Sequence, residues 1–433
     1  MSKKVSFYNL GCKVNLADIS RIGRQFEDLG HSIVDFEEDS DIVLINTCTV
    51  THKADADCRK IVRRALRRSP EAFIGVLGCY AQLNPNEVIK IEGVDAVFGQ
   101  NEKYNIPKLI QNFEKQETPK ILVGNMSDIP FHTSAVSDNV GRTRAVFKIQ
   151  DGCEYNCTYC TIPNARGGFR SMDFDKITEQ IDKFYEEGFR EVILAGINLG
   201  EYEAKTGEKF IDVVRLLDEY PADIRYRISS IEPNLLKPEI IDIIEKSNKF
   251  VHHFHIPLQS GSQEVLMRMK RRYRIKNYEK LINDIKTKMP DTCLGADVIV
   301  GFPGETEERF QETYNFIKNS PISYLHVFTY SERKGTVAVE MDGIVAHDIR
   351  KERTNALREL SDIKLNDFYN SQITKVKEVL PETYIEASNL WRGHTDNYVN
   401  VAFSGKKIEK GKKVRVLLTN NYQTYVEGTL INS

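Results

Sequence analysis

The chain has 433 residues, well beyond the usual size of a single core, so two or three domains are expected. Charged residues make up 28%, hydrophobic residues 41%, and the formal net charge is -2, which excludes a disordered chain and lets overall charge name no partner. The longest apolar runs, such as DIVLIN and ADVIVGF, fall far short of a membrane span, and MSKKVSFYNLGCKVN has no apolar core long enough for a signal peptide, so a cytoplasmic protein with no membrane partner is expected.

Residues 1–100 read as alternating strand and helix: KVSFYNLG, a helix from about Leu16 to Leu29, DIVLINT, a second helix, AFIGVLG, a third helix and AVFGQ. Continuous apolar strands between amphipathic helices indicate a parallel sheet covered on both faces. Cys12, Cys48 and Cys79 each stand just past the end of one such strand. In a parallel sheet those ends share one edge, so cysteines 36 and 31 positions apart can converge. A lone cysteine there is usually a small buried hydrophobe. Three at the same point of three successive units are hard to obtain by chance and read as a thiolate set. His52, four residues after Cys48, is a candidate extra ligand, although a solvated helix histidine is the plainer reading. Cys58 and Cys293 lack the placement and read as structural.

The stretch GNMSDIPFHTSAVSDNVGRTRA separates this part from a second strand-helix series: AVFKIQ, EVILAGIN, IRYRISSIEP, HFHIPLQSG, GADVIVGFPGE and YLHVFTYSER. Six strands are two fewer than a full barrel, so a partial (β/α)6 barrel is expected, with its chemistry at the carboxyl ends of the strands. The division is then a parallel α/β sandwich at 1–125, the barrel at 140–369 and a small unit at 372–433.

Directly after the first barrel strand comes CEYNCTYC, with Cys153, Cys157 and Cys160. With eight cysteines in the chain and no export signal, metal or redox chemistry is favoured over disulfides. Structural zinc wants four ligands, and this loop offers three. A 4Fe-4S cube held by three thiolates keeps one iron open, a position for substrate or cofactor.

A C-x-x-x-C-x-x-C loop at the first strand of such a barrel resembles the radical S-adenosylmethionine (SAM) superfamily signature. The longer resemblance is to the methylthiotransferases: LGCKVN, INTCTVT, LGCYAQ, CTYCTIPNARG, HIPLQSGS, GFPGET and FTYSERKGT occur in that family's order along essentially the whole chain. It implies that Cys153, Cys157 and Cys160 hold a 4Fe-4S cluster whose open iron is chelated by the amino and carboxylate groups of SAM, and that Cys12, Cys48 and Cys79 hold a second 4Fe-4S cluster carrying the sulfur to be inserted. SAM would be contacted by Tyr159, by Gly196 and Asn198 of AGIN, and by Ser229, Ser230, Glu232 and Gln259. One SAM would methylate the sulfur and a second would supply the radical that activates C2 of an adenine in tRNA. The resemblance also implies an external one-electron donor such as a flavodoxin or ferredoxin, and a sulfur donor.

GCKVN and CTYCTIPNARG are most similar to the bacterial branch acting on N6-threonylcarbamoyladenosine next to the anticodon. Other branches act on N6-isopentenyladenosine, usually reading GCQMN at the first cysteine, or on an aspartate of a ribosomal protein. A threonylcarbamoyl group carries a carboxylate, for which Arg166, Arg170 and Arg333 are candidate cations. Asn164 stands where the family more often has another residue, near the expected substrate mouth.

Residues 372–433 alternate apolar and polar residues in short runs, the pattern of a small antiparallel barrel. They carry nine Lys and Arg against six Asp and Glu, a local charge of +3, and GHTDNYV strengthens the resemblance to an RNA-binding TRAM domain. Two further basic runs suit an RNA partner such as an anticodon stem-loop. They are RKIVRRALRR, with Arg63 and Arg67, and KRRYRIK, with Arg271 and Arg272.

Overall fold

The computed structural model describes residues 2–49, 52–110, 112–126, 129–136, 143–405 and 408–431. Its first sheet contains β1 (Lys4–Asn9), β2 (Ser32–Val34), β3 (Ile42–Thr47), β4 (Phe73–Gly78), β5 (Ala96–Phe98) and β6 (Lys120–Leu122), all parallel in the order β2-β1-β3-β4-β5-β6. Every residue of β3 and β4 is buried, as their unbroken apolar runs require when both faces are covered. Val43, Ile45 and Val76 pack with Val62 of α2 (His52–Arg68), while Leu44 and Phe73 pack with Ile22 and Phe26 of α1 (Lys13–Asp28).

Helix α1 starts three residues before the expected Leu16 because its first turn has an apolar partner elsewhere. Cys12 is extended (φ -75°, ψ -178°), the helix begins at Lys13, and Val14 and Ala17 pack against Val146, Ile193 and Ala195 of the next unit.

That unit has β7 (Ser134–Val136), β8 (Arg144–Lys148), β9 (Gln150–Asp151), β10 (Arg170–Ser171), β11 (Glu191–Ala195), β12 (Arg225–Ile228), β13 (His253–His255), β14 (Cys293–Val300) and β15 (Tyr324–Thr329). Strands β8, β11 and β12 pair in parallel, as do β13, β14 and β15, and the bridges Tyr226 to Phe250 and Ser230 to His255 join the two sets. This is the expected six-stranded partial barrel. Strand β7 adds an antiparallel edge, Ser134 opposite Lys148, inside the stretch read as a linker. Its three residues are too few for a periodic signal. Side chains alternate along β8 and β11. Phe147, Val192 and Leu194 face the outer helices, and Val146, Ile193 and Ala195 face α1, which therefore lies across the inner face of the barrel.

The last unit is a closed barrel in the order β16-β17-β18-β20-β19, built from β16 (Val376–Ile385), β17 (Leu390–Thr395), β18 (Asn400–Ser404), β19 (Val414–Asn421) and β20 (Val426–Leu430). It docks on the central barrel. Arg144 donates to Tyr398 Oη at 2.8 Å and pairs with Glu382 at 2.9 Å, and Arg225 donates to the His394 carbonyl at 3.1 Å. None of the described helices is long and apolar enough to cross a membrane.

Candidate active site

The first three cysteines sit on one sheet edge. Cys12 precedes α1, Cys48 follows β3, and Cys79 opens the short helix α3 (Cys79–Leu83). Gly78 makes the last turn possible: its φ is +99°, and a Cβ there would run into the Asn46 side chain and the Thr47 backbone. Asn15 ties α1 to this edge, donating to the Thr47 carbonyl at 3.1 Å while its own carbonyl accepts from Asn46 at 2.9 Å. Gln100 donates to Cys79 Sγ at 3.2 Å. The side chain of His52 lies outside the described ones.

Beneath this edge lies a buried ionic network that joins α1 to the barrel. Asp18 receives Lys103 at 2.6 Å, Lys148 at 2.7 Å and the Tyr104 hydroxyl at 2.6 Å, and Arg166 approaches it at 3.4 Å. Arg166 also pairs with Asp151 at 2.8 Å and donates to Asn15. Burial alone would raise Asp18, but Lys103, Lys148 and Arg166 outweigh it and hold the carboxyl far below its ordinary value. Burial presses Lys103 downward, yet its contacts with two acceptors, Asp18 and Gln100 Oε1 at 2.5 Å, require it to donate, so it is read as the ammonium. Three buried cations thus face two carboxylates, Asp18 and Asp151. That excess of positive charge suits an anionic thiolate group beside Cys12 and Cys79.

The second cysteine set is held by the loop between β9 and the helix Ile162–Arg166. Gly152, at φ +73°, lets the loop turn where a Cβ would meet the Gly168 carbonyl. Each sulfur has a donor aimed at it: the Tyr155 N–H to Cys153 and the Ile162 N–H to Cys160, both at 3.4 Å, and Arg271 Nη1 to Cys157 at 3.2 Å. N–H groups directed at sulfur are the hydrogen-bonding shell that tunes an iron-sulfur site, so the donor set fits such a cluster. Burial pushes the Cys160 thiol up to about 12 and raises Cys153, Cys157 and Cys79 as well. Metal binding at these sulfurs therefore has protons to displace.

Three cavities meet between the two sets. One of about 210 Å³ is lined by Tyr159, Cys160, Gln259, Asp297 and Arg333. Another of about 380 Å³ is lined by Cys12, Lys13, Gly196, Arg227, Ser229, Ser230, His255, Asp297 and His326. The third, about 450 Å³, has Thr49, Arg59, Asn164, Arg333 and Lys334. Asp297 is common to the first two, and Arg333 to the first and third, so both cysteine sets open on adjoining spaces. Burial opposes ionisation of Asp297, but hydrogen bonds from His255 at 2.9 Å and His326 at 3.2 Å prevail and keep its carboxyl well below the usual range. Desolvation by the surrounding chain, with Arg227 and Arg144 nearby, lowers Lys13 to about 8, although the residue keeps an exposed surface.

Of the residues expected around SAM, Tyr159, Gly196, Ser229, Ser230 and Gln259 line these spaces, whereas Asn198 and Glu232 do not. Gln259 has φ +62° and a buried amide oxygen without a partner. Asn198 has a second such oxygen and places Nδ2 3.9 Å from Cys153. Glu232 is instead paired with Arg271. The arginines divide. Arg166 is 1% exposed, and Arg170 donates to the Arg166 carbonyl at 2.6 Å and lies 3.5 Å from Asp151, so both are spent on the protein's own acids and carbonyls. Arg271 is buried against Cys157 and Glu232 and is no surface cation. Arg272 lies 3.9 Å over the Tyr155 ring. Arg63 and Arg67 are exposed on α2, and Arg59, which the sequence reading did not single out, lies one turn before Arg63 and reaches the third cavity. Also missed were Lys13, Arg227, His255, Asp297 and His326. The signal for Arg227 was a pair of arginines, at 225 and 227, inside a strand expected to be apolar.

Comparison with known proteins bears on this site. Residues 147–317 match the Radical SAM superfamily, and residues 4–99 match a group described as Uncharacterized protein family UPF0004. Over 99% of its length the chain is 39% identical to the threonylcarbamoyladenosine tRNA methylthiotransferase MtaB of Bacillus subtilis, covering 96% of that protein. It is 32% identical to the tRNA-2-methylthio-N(6)-dimethylallyladenosine synthase of Fusobacterium nucleatum, with 96% of each chain covered. Among solved structures, the radical S-adenosylmethionine methyltransferase TsrM from Kitasatospora setae, with cobalamin and a 4Fe-4S cluster bound, superposes with a TM-score of 0.55 at 14% identity. The match covers 78% of this chain and 77% of that one and bears on the fold alone.

Proposed function

The chain belongs to the radical SAM methylthiotransferase family, and from that premise we propose that it modifies tRNA by inserting a methylthio group at C2 of N6-threonylcarbamoyladenosine next to the anticodon, using two SAM molecules per turnover. The observation that carries this reading is the meeting of Cys12 and Cys160 on cavities that share Asp297. One site can then bring a sulfur source and a radical source to the same base. The threonylcarbamoyl branch is supported by relatives of that name at 39% and 38% identity. The dimethylallyl relative at 32% keeps N6-isopentenyladenosine as the second reading.

We assign Cys153, Cys157 and Cys160 to a SAM-binding 4Fe-4S cluster and Cys12, Cys48 and Cys79 to a second one. When bound, the first cluster supplies the electron that cleaves SAM, and the second supplies the sulfur that becomes the methylthio group. The protein's part is to bind and orient. Arg271 fixes Glu232 and donates to Cys157. The unpartnered oxygens of Gln259 and Asn198 are acceptors for SAM's hydroxyl and amino hydrogens. Gly196, Ser229 and Ser230 line the adjoining wall, and Tyr159 closes the smaller cavity. Arg333, Arg59 and Lys334 offer positive charge to RNA phosphates at the third cavity. We keep the division into units at 1–125, 140–369 and 372–433 as our reading; among the described residues every strand pairing falls within one unit except that of β7, which lies ahead of residue 140 and pairs with β8. The external electron donor and the sulfur donor belong to the same reading.

The test is turnover by anaerobically reconstituted enzyme on tRNA carrying N6-threonylcarbamoyladenosine. The 2-methylthio derivative is expected, together with 5′-deoxyadenosine and S-adenosylhomocysteine. A product confined to isopentenylated tRNA would move the enzyme to the other branch.

A further inference from the structure

The threonylcarbamoyl reading leaves a question that the cavity beside Cys12 answers, and the answer rests on that reading. The substituent ends in a carboxylate, which must meet fixed positive charge wherever it leaves water. Arg166 and Arg170 are committed to Asp151, and Arg333 lines the cavities on either side of Thr161 instead.

Arg227 and Lys13 both line the cavity that contains Cys12. Arg227, on β12, is 4% exposed and lies 3.3 Å over the Tyr398 ring of the C-terminal barrel. Its Nη2 donates to His253 Nε2 at 3.2 Å, while Nε and Nη1 are buried without an acceptor. Buried guanidinium nitrogens are normally hydrogen-bonded, so two left open mark a place for an acceptor from outside the chain. Lys13 makes no ion pair among the described residues.

The acids nearby do not neutralise this pair. A single oxygen of Asp297 serves both His255 and His326, and Glu382 is taken by Arg144 at 2.9 Å and His394 at 2.8 Å. The cavity keeps surplus positive charge and fits one small anion. We propose that Lys13 and Arg227 form a carboxylate subsite beside Cys12 that receives the terminal carboxylate of the N6-threonylcarbamoyl group and selects it over an uncharged N6 substituent. Open guanidinium N–H groups with an ammonium beside them are a donor set that favours a carboxylate over its amide. Because Lys13 adjoins Cys12, the residue that selects the base also borders the sulfur-bearing site.

The experiment compares two anticodon stem-loops, one with N6-threonylcarbamoyladenosine and one with its carboxylate converted to the primary amide. Each is titrated by fluorescence anisotropy into the reconstituted wild-type, Lys13→Gln and Arg227→Lys enzymes. The wild type is expected to prefer the acid about tenfold or more, and Lys13→Gln to lose most of that preference with its amide affinity unchanged. Arg227→Lys, which keeps charge but not the planar set of N–H donors, is expected to lose part of it. Equal weakening toward both loops would assign the pair to RNA phosphates, and an unchanged acid-to-amide ratio would assign it no ligand; either overturns the subsite. A higher KM for SAM in RNA-free cleavage by Lys13→Gln would assign the pair to SAM's carboxylate and overturn it as well. Failure of the wild type to modify the acid loop at all would instead overturn the substrate reading beneath it.

Discussion

Lys148 of the barrel donates to Asp18 of α1 at 2.7 Å with both side chains fully buried, so the two cysteine-bearing units are locked by an ion pair shielded from water. The pair fixes the helix that starts beside Cys12 against the strand that leads to Cys153. Asp18→Asn leaves Lys103, Lys148 and Arg166 short of a counter-charge, and a loss of about 3–5 kcal/mol is expected in chemical or thermal unfolding.

The same network sets an acid limit. Asp18 and Asp151 are both held below the ordinary carboxylate value of 3.8 in the folded chain. Their contribution to stability is therefore complete above that value and lost as pH falls through it toward their folded values. Unfolding midpoints measured from pH 5 down to 2 are expected to fall more steeply for the wild type than for Asp18→Asn.

The two cysteine sets have separable roles. Changing Cys12, Cys48 and Cys79 together to Ala is expected to lower bound iron from about eight to about four atoms per chain while SAM cleavage persists. Changing Cys153, Cys157 and Cys160 is expected to abolish cleavage. Iron analysis and 5′-deoxyadenosine assays give both results. Retained cleavage in the second variant would contradict the assignment of the radical-generating site.

Arg271 supplies a charged hydrogen bond to Cys157 Sγ at 3.2 Å. Removing positive charge beside a cluster disfavours the added electron, so Arg271→Leu is expected to shift the reduction potential to a more negative value. A redox titration followed by electron paramagnetic resonance reads this directly. An unshifted potential would leave Arg271 as a partner of Glu232 alone.

Much of this site was open to sequence reading because its logic is local or periodic. Cys12, Cys48 and Cys79 each follow a strand, and parallel strands end on a common edge, so their neighbourhood follows from topology. The barrel strands were legible as apolar runs. Strand β7 was not, since three residues at an edge carry no period. The arginines were misjudged for a different reason. Arg166 and Arg170 stand in a polar segment, and the acid that claims them, Asp151, reaches them only through the turn at Gly152. Lys13 and Arg227 are 214 positions apart in sequence, and only the packing of α1 across the inner barrel face brings them to one cavity. Pairings between elements of separate units leave no spacing to detect.

Arg59, Arg63 and Arg67 stand four apart on α2, all exposed, whereas Arg64 and Arg68 lie on the side that pairs with Glu37. Arg59 reaches the cavity beside Cys48, so the stripe leads from solvent to the site. Replacing the three with Gln is expected to weaken tRNA binding and to reduce the slope of log affinity against log salt by about two to three. An unchanged slope would make the stripe a solvated face only.

The central claim is tested most directly by mass spectrometry of nucleosides from total tRNA of the source organism with the gene intact and deleted. Loss of 2-methylthio-N6-threonylcarbamoyladenosine on deletion, with its unthiolated parent accumulating and the plasmid-borne gene restoring it, is the predicted result. Persistence of that nucleoside in the deletion strain, with or without loss of the isopentenyl analogue, would contradict it.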